Sequence, residues 1–153
     1  MRRKNQRRRS AFTLMELLLV AGILALLAAF AIPKLFEKAQ EAKIQLAKAA
    51  IGRNGPIAKA LENYKWDIGK YPDTDEGLRA LFENPGGRDD ERYKGPYLDG
   101  QFEELKDSFN TPFEYRCPGE IHEDGYDLWS CGPDHEDDGG KEGSDDIKNW
   151  IEK

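Results

Sequence analysis

Ala11-Phe12-Thr13-Leu14-Met15-Glu16-Leu17-Leu18-Leu19-Val20-Ala21-Gly22-Ile23-Leu24-Ala25-Leu26-Leu27-Ala28-Ala29-Phe30-Ala31-Ile32 decides how the rest of the chain is arranged. Phe12 to Ile32 is 21 residues of mainly Leu and Ala, strong helix formers and enough of them to cross a hydrocarbon core about 30 Å thick. Glu16 is the one charge in this run. An ionised carboxylate costs on the order of 2.5–3.5 kcal/mol at the bilayer centre and less near the interface, so such a residue usually has a function. The ten residues upstream hold six Lys and Arg and no acid. The positive-inside bias keeps that end in the cytoplasm and sends the C-terminal side across the membrane.

A secretory signal places its small-residue cleavage site after the apolar run. Here the small pair Ser10-Ala11 lies before it. Ala11-Phe12-Thr13-Leu14-Met15-Glu16 resembles the signal of the type IV pilin-like superfamily: a small residue, Phe-Thr-Leu, any residue, Glu. Ala11 stands where that family normally has Gly. The resemblance implies that a prepilin peptidase removes residues 1–11 by cutting between Ala11 and Phe12, and that the new N-terminus at Phe12 is N-methylated. It also implies a role for Glu16. Its carboxylate is neutralised in the membrane by the amine of Phe12 on a neighbouring subunit, since a buried charge left unpaired costs several kcal/mol. A plain signal anchor with a tolerated interfacial Glu is the alternative.

The chain of 153 residues has a single-domain length, with about 120 residues outside the leader and membrane segment. Loss of the six basic leader residues leaves 17 Lys and Arg against 29 Asp and Glu, a net of −12. This excludes nucleic-acid binding through a basic surface. No nucleophile, His and acid combination and no His-rich zinc spacing is present, so no enzymatic activity is expected.

Beyond Pro33, where a kink or local loosening is expected, mixed charged and apolar periodicity continues the helix. Gly52-Arg53-Asn54-Gly55-Pro56 is a breaker cluster at which the helix bends or stops. Ile57, Ala60, Leu61 and Tyr64 then resume the helical pattern to about Trp66. Tyr64-Lys65, Tyr71-Pro72 and Gly77-Leu78-Arg79-Ala80-Leu81 resemble a passage of the major pseudopilins of type II secretion systems. Physically it reads as helix end, turn and new helix, with Asp73 or Thr74 as cap and Leu78, Leu81 and Phe82 as the apolar face. Gly95-Pro96-Tyr97 and Asp107-Ser108-Phe109-Asn110 through Tyr115 extend the resemblance, with Phe109 in place of a Trp and Asn110 in place of a Gly.

Phe113–Cys117 and Tyr126–Cys131 read as two short strands. A turn centred on Asp124 sets Cys117 opposite Cys131. A disulfide there, in a compartment where disulfides persist, contributes roughly 3 kcal/mol for a loop of about 15 residues; two free buried thiols is the other reading. The acidic stretch Ser130 to Ile147 reads as a cation site, and calcium, with six to eight oxygen ligands, suits it. As an EF-hand, Asp134, Glu136, Asp138, Gly139 and Asp145 fall at positions 1, 3, 5, 6 and 12, but Asp replaces Glu at 12 and the flanks are not helical. The pseudopilin resemblance implies a different calcium loop, with Asp134, Asp145 and Asp146 as carboxylate ligands and an oxygen from Ser130. A solvated acidic tail is the remaining alternative. His122 and His135 read as solvated residues.

The expected fold is α+β and pilin-like: a transmembrane helix over 12–32, its amphipathic continuation over 33–67, and a small antiparallel sheet head over 68–153. The resemblance implies an inner-membrane, single-pass subunit with a periplasmic head. Its expected partners are further copies in a helical filament, minor pseudopilins, an inner-membrane assembly platform and the prepilin peptidase. A pilin for adhesion or DNA uptake, or a membrane-anchored binding domain acting as a monomer, are the other functional readings.

Overall fold

The computed structural model describes residues 12–87 and 91–151. The first helix, α1, runs Leu14–Ile51. Thr13 opens it, its Oγ1 accepting the Glu16 N–H at 3.2 Å, which caps one of the free amides of the first turn. The chain divides within α1 into two units, Met1–Ala39 and Gln40–Lys153.

In the first unit α1 is apolar all round from Leu17 to Ile32. Among the described residues it is one helix long and apolar enough to cross a membrane, and none of its most apolar stretch is buried. α1 continues through Pro33; one missing N–H does not end it.

In the second unit, Ala47 and Ile51 of α1 enter the core, and α1 ends at the breaker cluster. Gly55 is required there. A Cβ on it would lie 2.3 Å from the Ala50 carbonyl and 2.5 Å from that of Ala49, so only glycine lets the chain fold back against the last turn. Pro56, with φ already set for a helix, starts α2, Pro56–Ile68. Of the bend or stop expected at the breaker cluster, the structure shows the stop, with α2 as a separate helix. α2 buries Ile57, Ala58, Ala60, Leu61 and Tyr64 and ends at Gly69 (φ 95°), whose N–H bonds the Lys65 carbonyl.

The expected third helix is a single 3-10 segment, Gly77–Leu81, which buries Leu78 and Leu81. Thr74 does not cap it. Its Oγ1 donates to the Cys117 carbonyl and accepts the Cys117 N–H, both at 2.9 Å, tying the turn to the end of the first strand.

Three antiparallel strands follow: β1 Phe113–Arg116, β2 Asp127–Ser130 and β3 Ile147–Lys148, in that order across the sheet. β2 is central and every residue of it is buried. Phe109, Phe113, Leu128 and Ile147 close the core against Ile51, Leu61, Tyr64 and Leu81. Asn110 has φ 70°, the left-handed backbone that Asn tolerates at a position read as replacing Gly.

The register overturns the Cys117–Cys131 disulfide. Phe113 pairs with Ser130 and Arg116 with Asp127, which sets Cys117 beside Tyr126 and puts Cys131 at the far end of the hairpin. Five residues of strand at about 3.3 Å each separate the two ends by roughly 16 Å, against an upper limit near 7 Å between bridged Cα atoms. Both thiols are free, and burial pushes that of Cys131 up to about 11.

Candidate metal centre

The loop between β2 and β3 begins with a 3-10 turn, Gly132–Asp134. Gly132 (φ 71°) could carry no side chain, because a Cβ would stand 2.4 Å from the Asp145 carbonyl. The outgoing and returning arms of the loop meet at this contact. Two residues further along the outgoing arm, the Asp134 N–H donates to Oδ2 of the same Asp145 at 3.2 Å.

This closure gathers carboxylates. Asp134, Asp138 and Asp145 each offer an oxygen within 4.8 Å of the other two. Calcium bonds its ligands at 2.3–2.6 Å, so oxygens on opposite sides of one ion stand about 5 Å apart; the spacing suits a single cation. Asp146 lies beside them, buried to 6% exposure. Its Oδ2 accepts the Gly140 N–H at 2.7 Å, while Oδ1 is buried with no hydrogen-bond partner among the described residues. Burial, opposed by the Gly140 bond and reinforced by the charges of Asp137 and Asp138, pushes the Asp146 carboxyl above the ordinary carboxylate range. Glu114 on β1 is raised in the same way, by burial and then by Asp137 and Asp146. An oxygen-only donor set with surplus negative charge and a buried acceptor lacking a donor fits a hard cation.

The returning arm is braced from the sheet. Trp129 Nε1 donates to Asp137 Oδ1 at 2.9 Å, and Lys148 Nζ donates to the Gly140 and Lys141 carbonyls at 3.1 and 2.7 Å.

Of the residues expected at the cation site, Asp134 and Asp145 are brought together and Asp146 lies next to Asp145 in the chain, close enough to feel the charge of Asp138. Ser130 is elsewhere: fully buried, its hydroxyl donates to Asp107 Oδ2. Asp138 joins the cluster, a position the sequence marks only in the EF-hand register. Neither histidine stands alone. His122 Nδ1 contacts Asp127 Oδ1 at 2.9 Å and His135 Nδ1 contacts Thr111 Oγ1 at 2.7 Å. Asp107 and Thr111 lie in the segment that extends the pseudopilin resemblance and Asp127 in none, and no sequence signal marks the contacts that these three make.

At the other end of the chain, Phe12 and Glu16 are exposed, Glu16 in the first turn of α1. Ala11 and the leader lie outside the described residues.

The family described as type II secretion system (T2SS), protein G, matches residues 34–150. The type II secretion system core protein G of Pseudomonas aeruginosa is 37% identical over 146 residues, covering 95% of this chain and 97% of that protein. The core protein G of Vibrio cholerae is 33% identical, covering 96% and 95%. Among solved structures, the major pseudopilin from the type 2 secretion system of enterohaemorrhagic Escherichia coli superposes with a TM-score of 0.57 at 26% identity, covering 76% of this chain and 89% of that one. Matched by the family over 34–150 and by these relatives nearly end to end, the chain belongs to the type II secretion system protein G family, the major pseudopilins, which are structural proteins and not enzymes.

Proposed function

We propose that this chain is a structural subunit of the periplasmic pseudopilus filament of a type II secretion system, processed by a prepilin peptidase and stabilised by calcium. The observation that carries the reading is a helix with its apolar side chains unburied all round and one carboxylate near its start. Leu17, Leu18, Leu19, Leu24, Leu26 and Leu27 are each at least 60% exposed. Apolar surface on this scale is stable only in lipid or against other copies of the same helix. The first accounts for anchoring in the inner membrane, with the N-terminus cytoplasmic before cleavage and the head in the periplasm. The second accounts for a helical filament.

Glu16 selects between a lone anchor and a filament subunit. Cleavage between Ala11 and Phe12 frees an amine that, N-methylated, remains cationic and can neutralise Glu16 of the next copy; this sets the stagger between subunits. Minor pseudopilins and an inner-membrane assembly platform complete the machine. Asp134, Asp138, Asp145 and Asp146 hold the calcium ion, whose chemistry here is neutralisation and cross-linking of the loop. Ser130 holds the loop's first arm through its hydroxyl.

Glu16→Ala in the full chain tests the filament reading: membrane insertion is retained and filament yield falls to background. Intact mass of the membrane fraction should show a chain starting at Phe12. Normal filament yield from the variant, or a mature form retaining Met1, would falsify this assignment.

A further inference from the structure

The outgoing arm of the acidic loop, Cys131 to His135, is held by a turn that lies more than twenty residues upstream. Asp107, buried, accepts the N–H groups of Phe109 and Thr111 at 2.8 Å each on Oδ1 and the Ser130 hydroxyl on Oδ2. The turn is closed by the Asp107 N–H on the Thr111 carbonyl and the Asn110 N–H on the Asp107 carbonyl, and it is fastened to α1 by Ser108 Oγ donating to the Lys43 carbonyl at 2.6 Å. It is therefore a rigid platform. From it two contacts reach the loop. Ser130 Oγ accepts the Gly132 N–H at 3.2 Å, and Thr111 Oγ1 meets His135 Nδ1 at 2.7 Å, with the His135 ring edge-on to Phe109. Gly132 and His135 flank Asp134. His135 is left-handed, φ 66°, a conformation rare outside glycine that must be held by its surroundings.

We propose that the 107–111 turn is the positioning element of the cation loop and that Thr111, through His135, aims the Asp134 carboxylate at Asp138 and Asp145. The inference rests on the calcium reading above. Thr111 touches no cation; it acts by keeping Asp134 in place before the ion arrives. Partners of this kind typically change metal affinity by about 10- to 100-fold when removed.

The test uses the full chain in detergent, with calcium affinity measured by competition against a chromophoric chelator and melting temperature measured in chelator. Thr111→Val removes only the hydroxyl and should weaken calcium binding roughly tenfold while leaving the chelator melting temperature unchanged. Thr111→Ser should restore wild-type affinity. His135→Ala should match Thr111→Val, and the double variant should be no weaker than either single, because both break the same contact. Unchanged affinity in Thr111→Val, or a loss of melting temperature as large in chelator as in calcium, overturns the proposal and leaves the calcium reading standing. A wild-type chain with no measurable calcium affinity overturns both.

Discussion

Asp127, the first residue of β2, and Asp146, the residue before β3, are both aspartates, comparably buried at 2% and 6% exposure, at opposite ends of the sheet. They are solved in opposite ways. Asp127 closes the β1–β2 loop on itself: Oδ2 accepts the Ile121 N–H at 2.9 Å, and Oδ1 takes the His122 N–H and Nδ1 at 3.1 and 2.9 Å. Burial alone would raise its carboxyl, but these donors outweigh burial and hold it below the ordinary range. Asp146 has one backbone donor, one unpartnered oxygen and two further acids nearby, and its carboxyl is pushed up. A buried carboxylate supplied with donors is a structural staple. One with an oxygen that lacks a donor among the described residues, set among like charges, is complementary to a cation from outside.

Three experiments test this contrast. Asp127→Ala should have the largest effect, about 3 kcal/mol of lost stability, since it strips a buried anion from several donors at once. The loss should be equal with calcium and with chelator. Because the folded carboxyl of Asp127 is depressed, its contribution is complete above the unfolded value near 3.9 and disappears as pH falls through the lower folded value. The variant should therefore show a flatter acid limb in a plot of melting temperature against pH. A calcium-dependent loss would show that the two loops are not independent.

Second in size is calcium withdrawal from the unmutated chain, which should cost about 2.7 kcal/mol relative to a hundredfold excess over Kd. Magnesium should not restore it, because it is too small and dehydrates too reluctantly for this loose carboxylate cage. Equal melting temperatures in calcium and chelator would mean that the acidic loop is a solvated tail.

The smallest effect separates the two aspartates most cleanly. Asp146→Asn removes a charge that the empty loop opposes, so in chelator the variant should be slightly more stable, by about 0.5 kcal/mol, while the calcium-dependent gain is lost. Thermal melts in both buffers decide this. A variant destabilised in chelator would place Asp146 with Asp127, as a self-sufficient structural residue.

The parts legible in the sequence are those specified by near neighbours. The long apolar helix follows from a run interrupted only by Glu16, and its expected orientation from the six basic residues beside it. The stop after Ile51 follows from Gly52, Gly55 and Pro56, each of which acts on its own backbone. The acidic stretch is legible as a candidate cation loop by its charge density alone. The strand pair was legible as two short segments mixing aromatic or apolar with polar residues around a turn, but its register was not, since a shift of pairing changes no local property of either strand. Strand β3, two residues long, leaves no periodic signal; Ile147 is in the sheet because Ser130 is opposite it.

Neighbouring residues thus specify an apolar helix, the point where it breaks, and a loop acidic enough to be a candidate cation site. Which atoms meet is set by packing. Register sent Cys117 and Cys131 to opposite ends of the hairpin, the contact of Gly132 with Asp145 folded Asp138 into the cluster, and Asp107 drew Ser130 into the core. The physical reason is range. Helix propensity, hydrophobicity and charge repulsion act between residues near in sequence, whereas strand pairing, the closure of the acidic loop and the Asp107–Ser130 bond join residues 11 to 23 positions apart, and only the packed core fixes those distances.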